Sequence, residues 1–126
     1  MTGGIDLGGA EVLLVEDDLL IRQDLADTLT DYGARVTATG WIAEAMAMAE
    51  GEIEHAILDV KLEDGHVHPV ARRLAERGVP FTFHSSAARC TGLAEAFPAA
   101  RVLPKPAIPA ALAALIRQSI DQGTNA

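Results

Sequence analysis

Short apolar segments alternate with longer amphipathic segments along the whole chain. The apolar or β-branched segments are 12–15, 35–37, 56–58, 81–83 and 102–103. A continuous run such as 12–15, which has no polar face, is typical of a strand that is covered on both sides. The pattern therefore predicts five strands.

Each predicted strand is followed by a segment in which apolar residues recur at helical spacing. These segments are 19–32, 42–49, 67–77, 87–97 and 108–120, and the pattern is weakest in 87–97. Leu25 and Leu29 share one face of the first segment, and Gly33 follows it where a left-handed helix cap is expected. Five helices are therefore predicted to alternate with the strands.

Strands and helices that alternate in this way predict an α/β fold. We expect a doubly wound, flavodoxin-like (βα)5 sandwich, with a central five-stranded parallel sheet and right-handed crossover helices on both faces. We expect residues 10–122 to form this domain, after a flexible lead at 1–9 that holds four glycines and before a short tail at 123–126. Ligands of such sheets bind beyond the carboxyl ends of the strands, so a functional site is expected at that edge.

Composition narrows the classes of function. The 126 residues are 49% hydrophobic, which suits one domain with a sizeable core. The formal net charge of −8 repels phosphate backbones, so we expect no nucleic-acid binding. No apolar segment approaches the roughly 18 residues of a membrane span and the chain start lacks a secretion signal, so we expect a cytoplasmic protein without membrane contact. The single cysteine, Cys90, provides neither an internal disulfide nor zinc-site spacing.

Polar residues follow four of the predicted strands at the point where each apolar run ends. They are Glu16 with Asp17, Asp59, Ser85 and Lys105. Each has an ordinary explanation when it is taken alone, such as helix capping by the acidic pair or a loop position for the lysine. Their combined chemistry at one sheet edge is what indicates a functional site.

Three carboxylates that converge repel one another unless a cation or raised pKa values relieve the repulsion. Glu16, Asp17 and Asp59 offer only hard oxygen ligands, which favours Mg²⁺ over zinc. Lys105 adds a fixed positive charge and Ser85 adds a hydroxyl, and together with Mg²⁺ these groups suit a phosphoryl group. Asp59 is then the candidate nucleophile, because an ionised carboxylate accepts phosphoryl without a general base.

These residues resemble the receiver domain of two-component response regulators, of the single-domain, CheY-like type. The resemblance covers about residues 11–122 and rests on four short motifs. They are Leu14-Val15-Glu16-Asp17-Asp18, Leu58-Asp59-Val60, Phe83-His84-Ser85-Ser86 and Pro104-Lys105-Pro106. Receivers usually have an aromatic residue where this chain has Val102 and a phenylalanine where it has Ala107, so the chain departs from the usual aromatic relay.

The resemblance also implies roles for the acidic residues. Asp59 is the expected phosphorylated aspartate. Asp17 and Asp59 are the expected Mg²⁺ ligands, together with the backbone carbonyl of Lys61, and Glu16 is expected to act mainly through a water molecule.

By the same resemblance, the Ser85 hydroxyl moves toward the phosphoryl group and Lys105 pairs with that group. The implied function is that of a phospho-acceptor in phosphorelay signalling, with no enzymatic activity beyond self-phosphorylation and self-dephosphorylation. The implied donor is a histidine kinase or a histidine phosphotransfer protein. The implied output is protein contact, with a downstream effector or in a homodimer, through the face formed by the fourth helix, the fifth strand and the fifth helix.

Two other functions fit parts of the same pattern. A small Mg²⁺-dependent phosphatase also uses an aspartate as a transient nucleophile, but it needs a second acid for the leaving group, and only Glu63 and Asp64 follow Asp59 closely. A degenerate receiver that serves only as a docking module is the third possibility, which Val102 and the weak fourth helix favour.

Overall fold

The computed structural model describes residues 4–86, 92–98, 100–105 and 108–123. Seven strands and five helices are formed by these residues. In chain order they are β1 (Glu11–Val15), α1 (Leu19–Asp31), β2 (Arg35–Thr39), α2 (Ile42–Met48), β3 (His55–Leu58), β4 (Lys61–Leu62), β5 (Gly65–His66), α3 (His68–Glu76), β6 (Phe81–Ser85), α4 (Leu93–Ala96), β7 (Arg101–Pro104) and α5 (Pro109–Gly123).

The five longer strands form one parallel sheet in the order β2-β1-β3-β6-β7. The chain therefore runs outward from β1 to β2 and then crosses to the other side of β1 for the remaining strands. This confirms the predicted doubly wound α/β fold with its central five-stranded parallel sheet. The reversal in strand order lies between β1 and β3, which is where a ligand site is expected in such a sheet.

Apolar side chains fill both faces of the sheet. Leu13 and Val15 pack on one face in a cluster that includes residues of α2 and α3. Val12 and Leu14 pack on the opposite face in a cluster that includes residues of α1 and α5. Because successive side chains of a strand point to opposite faces, a continuous apolar run in β1 is the sequence that this doubly covered position requires. None of the helices among the described residues combines the length and apolar content needed to cross a membrane.

The expected flexible lead is anchored to the domain where the structure describes it. The Leu7 side chain is 2% exposed and its amide donates to the Tyr32 carbonyl at 2.7 Å. Gly33, which follows α1, has a φ of 98°, and a Cβ there would lie 2.7 Å from an oxygen of Asp6. Only glycine fits this backbone conformation and this close approach. Residues 1–3 of the lead and 124–126 of the tail lie outside the described residues.

The region of the fourth helix and an added hairpin differ from the simple five-fold pattern. Residues 87–91 of the helix predicted at 87–97 lie outside the described residues, and the described helix α4 has four residues, Leu93–Ala96.

The strands β4 and β5, which the sequence did not predict, pair antiparallel directly after β3. Strands of two residues are too short to show a periodic pattern of apolar residues.

A buried histidine, His55, lies at the amino end of β3. It predicts how the free energy of unfolding depends on pH. His55 is 2% exposed, with its two ring nitrogens 2.9 Å from Thr82 Oγ1 and 3.1 Å from Ser119 Oγ. Burial lowers the pKa of His55 to about 4, and the positive charge of Arg101 adds to the effect. In the unfolded chain the same imidazole has a pKa of about 6.5 and binds its proton first as the pH falls. The stabilising contribution is therefore complete above about pH 6.5 and is lost between about pH 6.5 and pH 4.

The expected loss from His55 alone over this window is about 3 kcal/mol of the free energy of unfolding. Urea unfolding from pH 7 to pH 4 checks this for the wild type and for His55→Gln. The His55→Gln variant should lose less stability over that range than the wild type, whereas replacement of the exposed His66 by glutamine should leave the wild-type pH dependence intact. Parallel pH dependences in all three proteins would contradict the assignment to His55.

Candidate functional site

Backbone hydrogen bonds extend the sheet past the ends of its strands and so place the polar residues. The Glu16 amide donates to the Thr39 carbonyl at 2.9 Å, and the Asp59 amide donates to the Val15 carbonyl at 2.8 Å. The Lys105 amide donates to the carbonyl of Ser85, the last residue of β6, at 2.7 Å. Because these bonds hold each residue in register with its neighbouring strand, the polar side chains meet at one edge of the sheet.

Asp59 lies at the centre of this group and is 2% exposed. Its Oδ1 accepts hydrogen bonds from Ser85 Oγ at 2.7 Å and from the Val60 amide at 2.8 Å. Its Oδ2 lies 3.2 Å from Lys105 Nζ. Burial acts to raise the pKa of Asp59, but hydrogen bonds with Glu16 and Ser85 and the charge of Lys105 outweigh it and hold this pKa below its usual value. The carboxylate is therefore ionised at neutral pH, as a nucleophile must be.

Glu16 is the second buried acid of the site, with 1% of its surface exposed. Its Oε1 lies 2.6 Å from Lys105 Nζ, and its Oε2 accepts a hydrogen bond from the Asp18 amide at 3.2 Å. Burial raises the pKa of Glu16 to about 7, opposed by Lys105 and reinforced by Asp59. Burial also acts to lower the pKa of Lys105, but its ion pairs with Glu16 and Asp59 raise it above the usual value. A protonated lysine therefore bridges two buried carboxyl groups, one of which titrates near neutral pH.

Asp17 forms a group of three acids with Glu16 and Asp59 and is its only exposed member. Its side chain is exposed, whereas those of Glu16 and Asp59 are buried, and one oxygen from each lies within 4.8 Å of the others. All the donors are hard carboxylate oxygens, which Mg²⁺ prefers, and the exposed position of Asp17 leaves room for the water ligands that Mg²⁺ retains. The residues present therefore fit a magnesium ion.

The structure brings five of the six predicted site residues together. These are Glu16, Asp17, Asp59, Ser85 and Lys105. The sixth, Lys61, is expected to contribute only its backbone carbonyl, and that role stays a prediction. It lies two residues after Asp59 at the start of β4, with an exposed side chain. Ser85 is fully buried and already donates to Asp59, so its hydroxyl needs no long movement to reach a group on that carboxylate.

Two contacts that support the site were missed by the sequence analysis. The Val60 amide bonds to Asp59, and Arg22 Nη1 donates to the Glu16 carbonyl at 2.7 Å. A backbone amide leaves no mark in the sequence. Arg22 lies within α1. Whether its side chain can contact the Glu16 carbonyl depends on the angle between β1 and α1, which the sequence does not reveal.

The predicted output face is described in part. Val102 is half-buried and Arg101 is exposed on β7. Residues 87–91, 99, 106 and 107 lie outside the described residues, and they include Cys90 and Ala107, which the sequence analysis singled out.

Comparison with known proteins shows which solved structures this chain resembles. No protein-family model matches the chain, and no curated protein matches it by sequence. The structure is similar to the crystal structure of a response regulator receiver protein from Sinorhizobium medicae, with a TM-score of 0.83 and 26% identity over 94% of this chain and 99% of that one. The chain has the fold of a response regulator receiver domain.

Other solved receiver domains show the same similarity. The non-phosphorylated HemR receiver domain from Leptospira biflexa is 25% identical, with a TM-score of 0.76 over 88% of this chain and 94% of that one. The receiver domain of a sensor histidine kinase from Pseudomonas aeruginosa is 26% identical, with a TM-score of 0.78 over 90% of this chain and 98% of that one. That structure has a magnesium ion coordinated in its active-site cleft. Receiver domains of this kind are modules of two-component signalling, so the comparison favours a signalling role over that of an ordinary enzyme.

Proposed function

We propose that the chain is a phospho-acceptor that takes a phosphoryl group onto Asp59 in two-component signalling. One observation carries this proposal: Asp59 is a buried, ionised carboxylate in contact with both a hydroxyl, Ser85, and an ammonium group, Lys105. The donor is a histidine kinase or a histidine phosphotransfer protein. The signalling role of receiver domains with this fold supports the proposal.

The contacts of Asp59 suit an in-line phosphoryl transfer. An oxygen of Asp59 forms the new bond to phosphorus while the phosphorus–nitrogen bond of the donor breaks, and the donor imidazole leaves with the bonding electron pair. Lys105 then neutralises charge on one phosphoryl oxygen, and the Ser85 hydroxyl donates to another in place of Asp59. No general base is needed, because Asp59 is already ionised.

The acid cluster supplies the metal site of this proposal. Asp17 and Asp59 would hold Mg²⁺ with the backbone carbonyl of Lys61, and Glu16 would act through a water molecule. When it is bound, Mg²⁺ offsets the negative charge of the phosphoryl group and the carboxylates. The charge on Lys105 limits their repulsion in the metal-free protein, since its Nζ is within 3.2 Å of both buried acids.

Exposed apolar side chains around the site favour a protein as the donor. Leu19 and Leu20 lie at the start of α1, Trp41 precedes α2 and Ile108 precedes α5, and each is at least 49% exposed. All of them follow β1, β2 or β7 and therefore lie at the same edge of the sheet as Asp59. Apolar surface around a charged site is typical of a protein-binding surface. A small-molecule donor would not cover this apolar surface.

The position of the other acids disfavours the phosphatase alternative. A phosphatase needs an acid that protonates the leaving group, and Glu63 and Asp64 were the candidates. Glu63 is exposed, and both oxygens of Asp64 are bonded to amides of α2. Asp64 is therefore already engaged with α2, and Glu63 has no hydrogen bond to Asp59 within the described residues. Output by contact with an effector, or in a homodimer, through the face of α4, β7 and α5 remains part of the proposal.

Two small phosphoryl compounds distinguish an acceptor from a phosphatase. With Mg²⁺ and phosphoramidate, which mimics the phosphorus–nitrogen bond of phosphohistidine, the intact mass should rise by one phosphoryl group. The Asp59→Asn variant should show no rise. With p-nitrophenyl phosphate we expect no sustained turnover. Phosphoryl uptake that persists in Asp59→Asn would reject Asp59 as acceptor, and repeated turnover of the ester would favour the phosphatase.

A further inference from the structure

The β4–β5 hairpin is attached to the site at its base. Val60, which follows Asp59, is 6% exposed, and its amide donates to Asp59 Oδ1 at 2.8 Å. Its carbonyl accepts from the Val67 amide at 2.9 Å, so both ends of the hairpin are held beside the phospho-acceptor. Leu62 is 2% exposed and lies in the apolar core. Any tilt of the hairpin therefore acts on the main chain at residues 60 and 61.

The tip of the hairpin is bonded to a different element, the first turn of α2. Asp64 Oδ1 accepts from the Ile42 amide at 2.8 Å, and Oδ2 accepts from the Ala43 amide at 3.2 Å. Trp41, at the N-cap position, gives this helix no side-chain cap. Since the first amides of a helix have no partner within it, a residue 22 positions away satisfies two of them. These bonds lower the pKa of Asp64 below its usual value, so the carboxylate is ionised.

The chain just before α2 packs against the loop that carries the other acids. A Cβ at Gly40 would lie 3.3 Å from the Glu16 carbonyl oxygen and 3.4 Å from Asp17 Cα. The Glu16 amide also donates to the Thr39 carbonyl. The segment 39–43, which ends β2 and begins α2, thus contacts the Glu16–Asp17 loop through Thr39 and Gly40 and the hairpin through Ile42 and Ala43. Trp41, the only tryptophan of the chain, lies between these contacts and is 49% exposed.

We propose that Asp64 is a positioning residue for the metal and phosphoryl site. Asp64 holds the hairpin on the start of α2. It thereby fixes the main chain at Lys61, whose carbonyl is proposed to bind Mg²⁺. The reference point is the Glu16–Asp17 loop, which packs against the residues just before the same helix. The inference rests on the proposed function, because it needs Mg²⁺ to bind at this site. The same link makes the environment of Trp41 sensitive to occupancy of the site.

Three variants of the hairpin tip test the proposal. Asp64→Ala removes both acceptors, and Asp64→Asn keeps one of them. Glu63→Ala removes the same charge from the neighbouring exposed residue, which has no hydrogen bond within the described residues. Mg²⁺ affinity is measured by calorimetry, and Trp41 fluorescence is followed in a parallel Mg²⁺ titration.

Asp64→Ala should weaken Mg²⁺ binding by about tenfold, the effect typical of residues that orient metal ligands. It should also reduce the fluorescence change at Trp41. Asp64→Asn, which keeps one of the two acceptors, should recover part of both and still bind Mg²⁺ more weakly than Glu63→Ala does. Glu63→Ala should bind Mg²⁺ within about twofold of the wild type, because an exposed charge is screened.

The outcomes separate this inference from the proposed function. If the wild type binds Mg²⁺ and both Asp64 variants bind it as Glu63→Ala does, Asp64 is not a positioning residue and the proposed function stands. If the wild type binds no Mg²⁺, both fail. If Asp64→Ala does not fold, Asp64→Asn decides, and its equality with Glu63→Ala overturns the proposal.

Discussion

Lys105→Met is expected to slow phosphoryl uptake at Asp59 by about 100-fold while it strengthens Mg²⁺ binding. The Lys105 ammonium lies 2.6 Å from Glu16 and 3.2 Å from Asp59, so it is placed to neutralise charge on a phosphoryl group bonded to Asp59. Loss of one such preorganised group typically costs between about 100-fold and 1000-fold in rate. The same positive charge repels a divalent cation, and its removal should raise Mg²⁺ affinity by about tenfold.

Opposite changes in rate and metal affinity are the signature to look for. Phosphoryl uptake is followed by intact mass at saturating Mg²⁺, and Mg²⁺ affinity by calorimetry. Arg72→Met is the control for charge, because it removes one positive charge from an exposed side chain of α3 that is not among the site residues. The control should change both quantities by less than about threefold. Equal effects of the two substitutions would show that Lys105 contributes only general charge.

Asp17→Asn is expected to weaken Mg²⁺ binding by about 100-fold, since ligand charge largely sets the affinity of such sites. Asp17 is the exposed member of the acid cluster, so its replacement removes a ligand without opening the core. At a fixed, limiting Mg²⁺ concentration, phosphoryl uptake should fall in proportion. Calorimetry and intact mass again provide the measurements.

Asp18→Asn is the matched control for this substitution. Asp18 Oδ1 accepts from the amides of Leu20 and Ile21 and so caps α1. Asparagine caps a helix as well as aspartate does, so the control removes the neighbouring charge and keeps the helix start. Equal losses of Mg²⁺ affinity in the two variants would remove Asp17 from the proposed ligands.

The fold and the residues of the site could be predicted because both depend on local features of the sequence. Apolar runs such as Ala56-Ile57-Leu58 mark strands, and the residue after each run lies at the carboxyl end of its strand. In a parallel sheet all carboxyl ends share one edge, so Asp59 and Lys105 could be placed together although 46 positions separate them.

Contacts that depend on loop geometry could not be predicted. The bonds from Asp64 to α2 join residues 21 and 22 positions apart, through a hairpin whose strands have two residues each. The hydrogen bond from Ser85 to Asp59 depends on a side-chain orientation that no sequence pattern records. The burial of Leu7 against the domain could not be predicted either, because residues 1–9 hold four glycines and show no periodic apolar pattern.

The position of the phosphoryl group is the most direct test of the central claim. The protein is incubated with acetyl phosphate and Mg²⁺, reduced with borohydride to convert an acyl phosphate to the alcohol, and mapped by peptide mass spectrometry. We predict one modified residue per chain, at Asp59, that depends on Mg²⁺. A modification at Glu16, Asp17 or any other residue, or no modification at all, would contradict the proposed function.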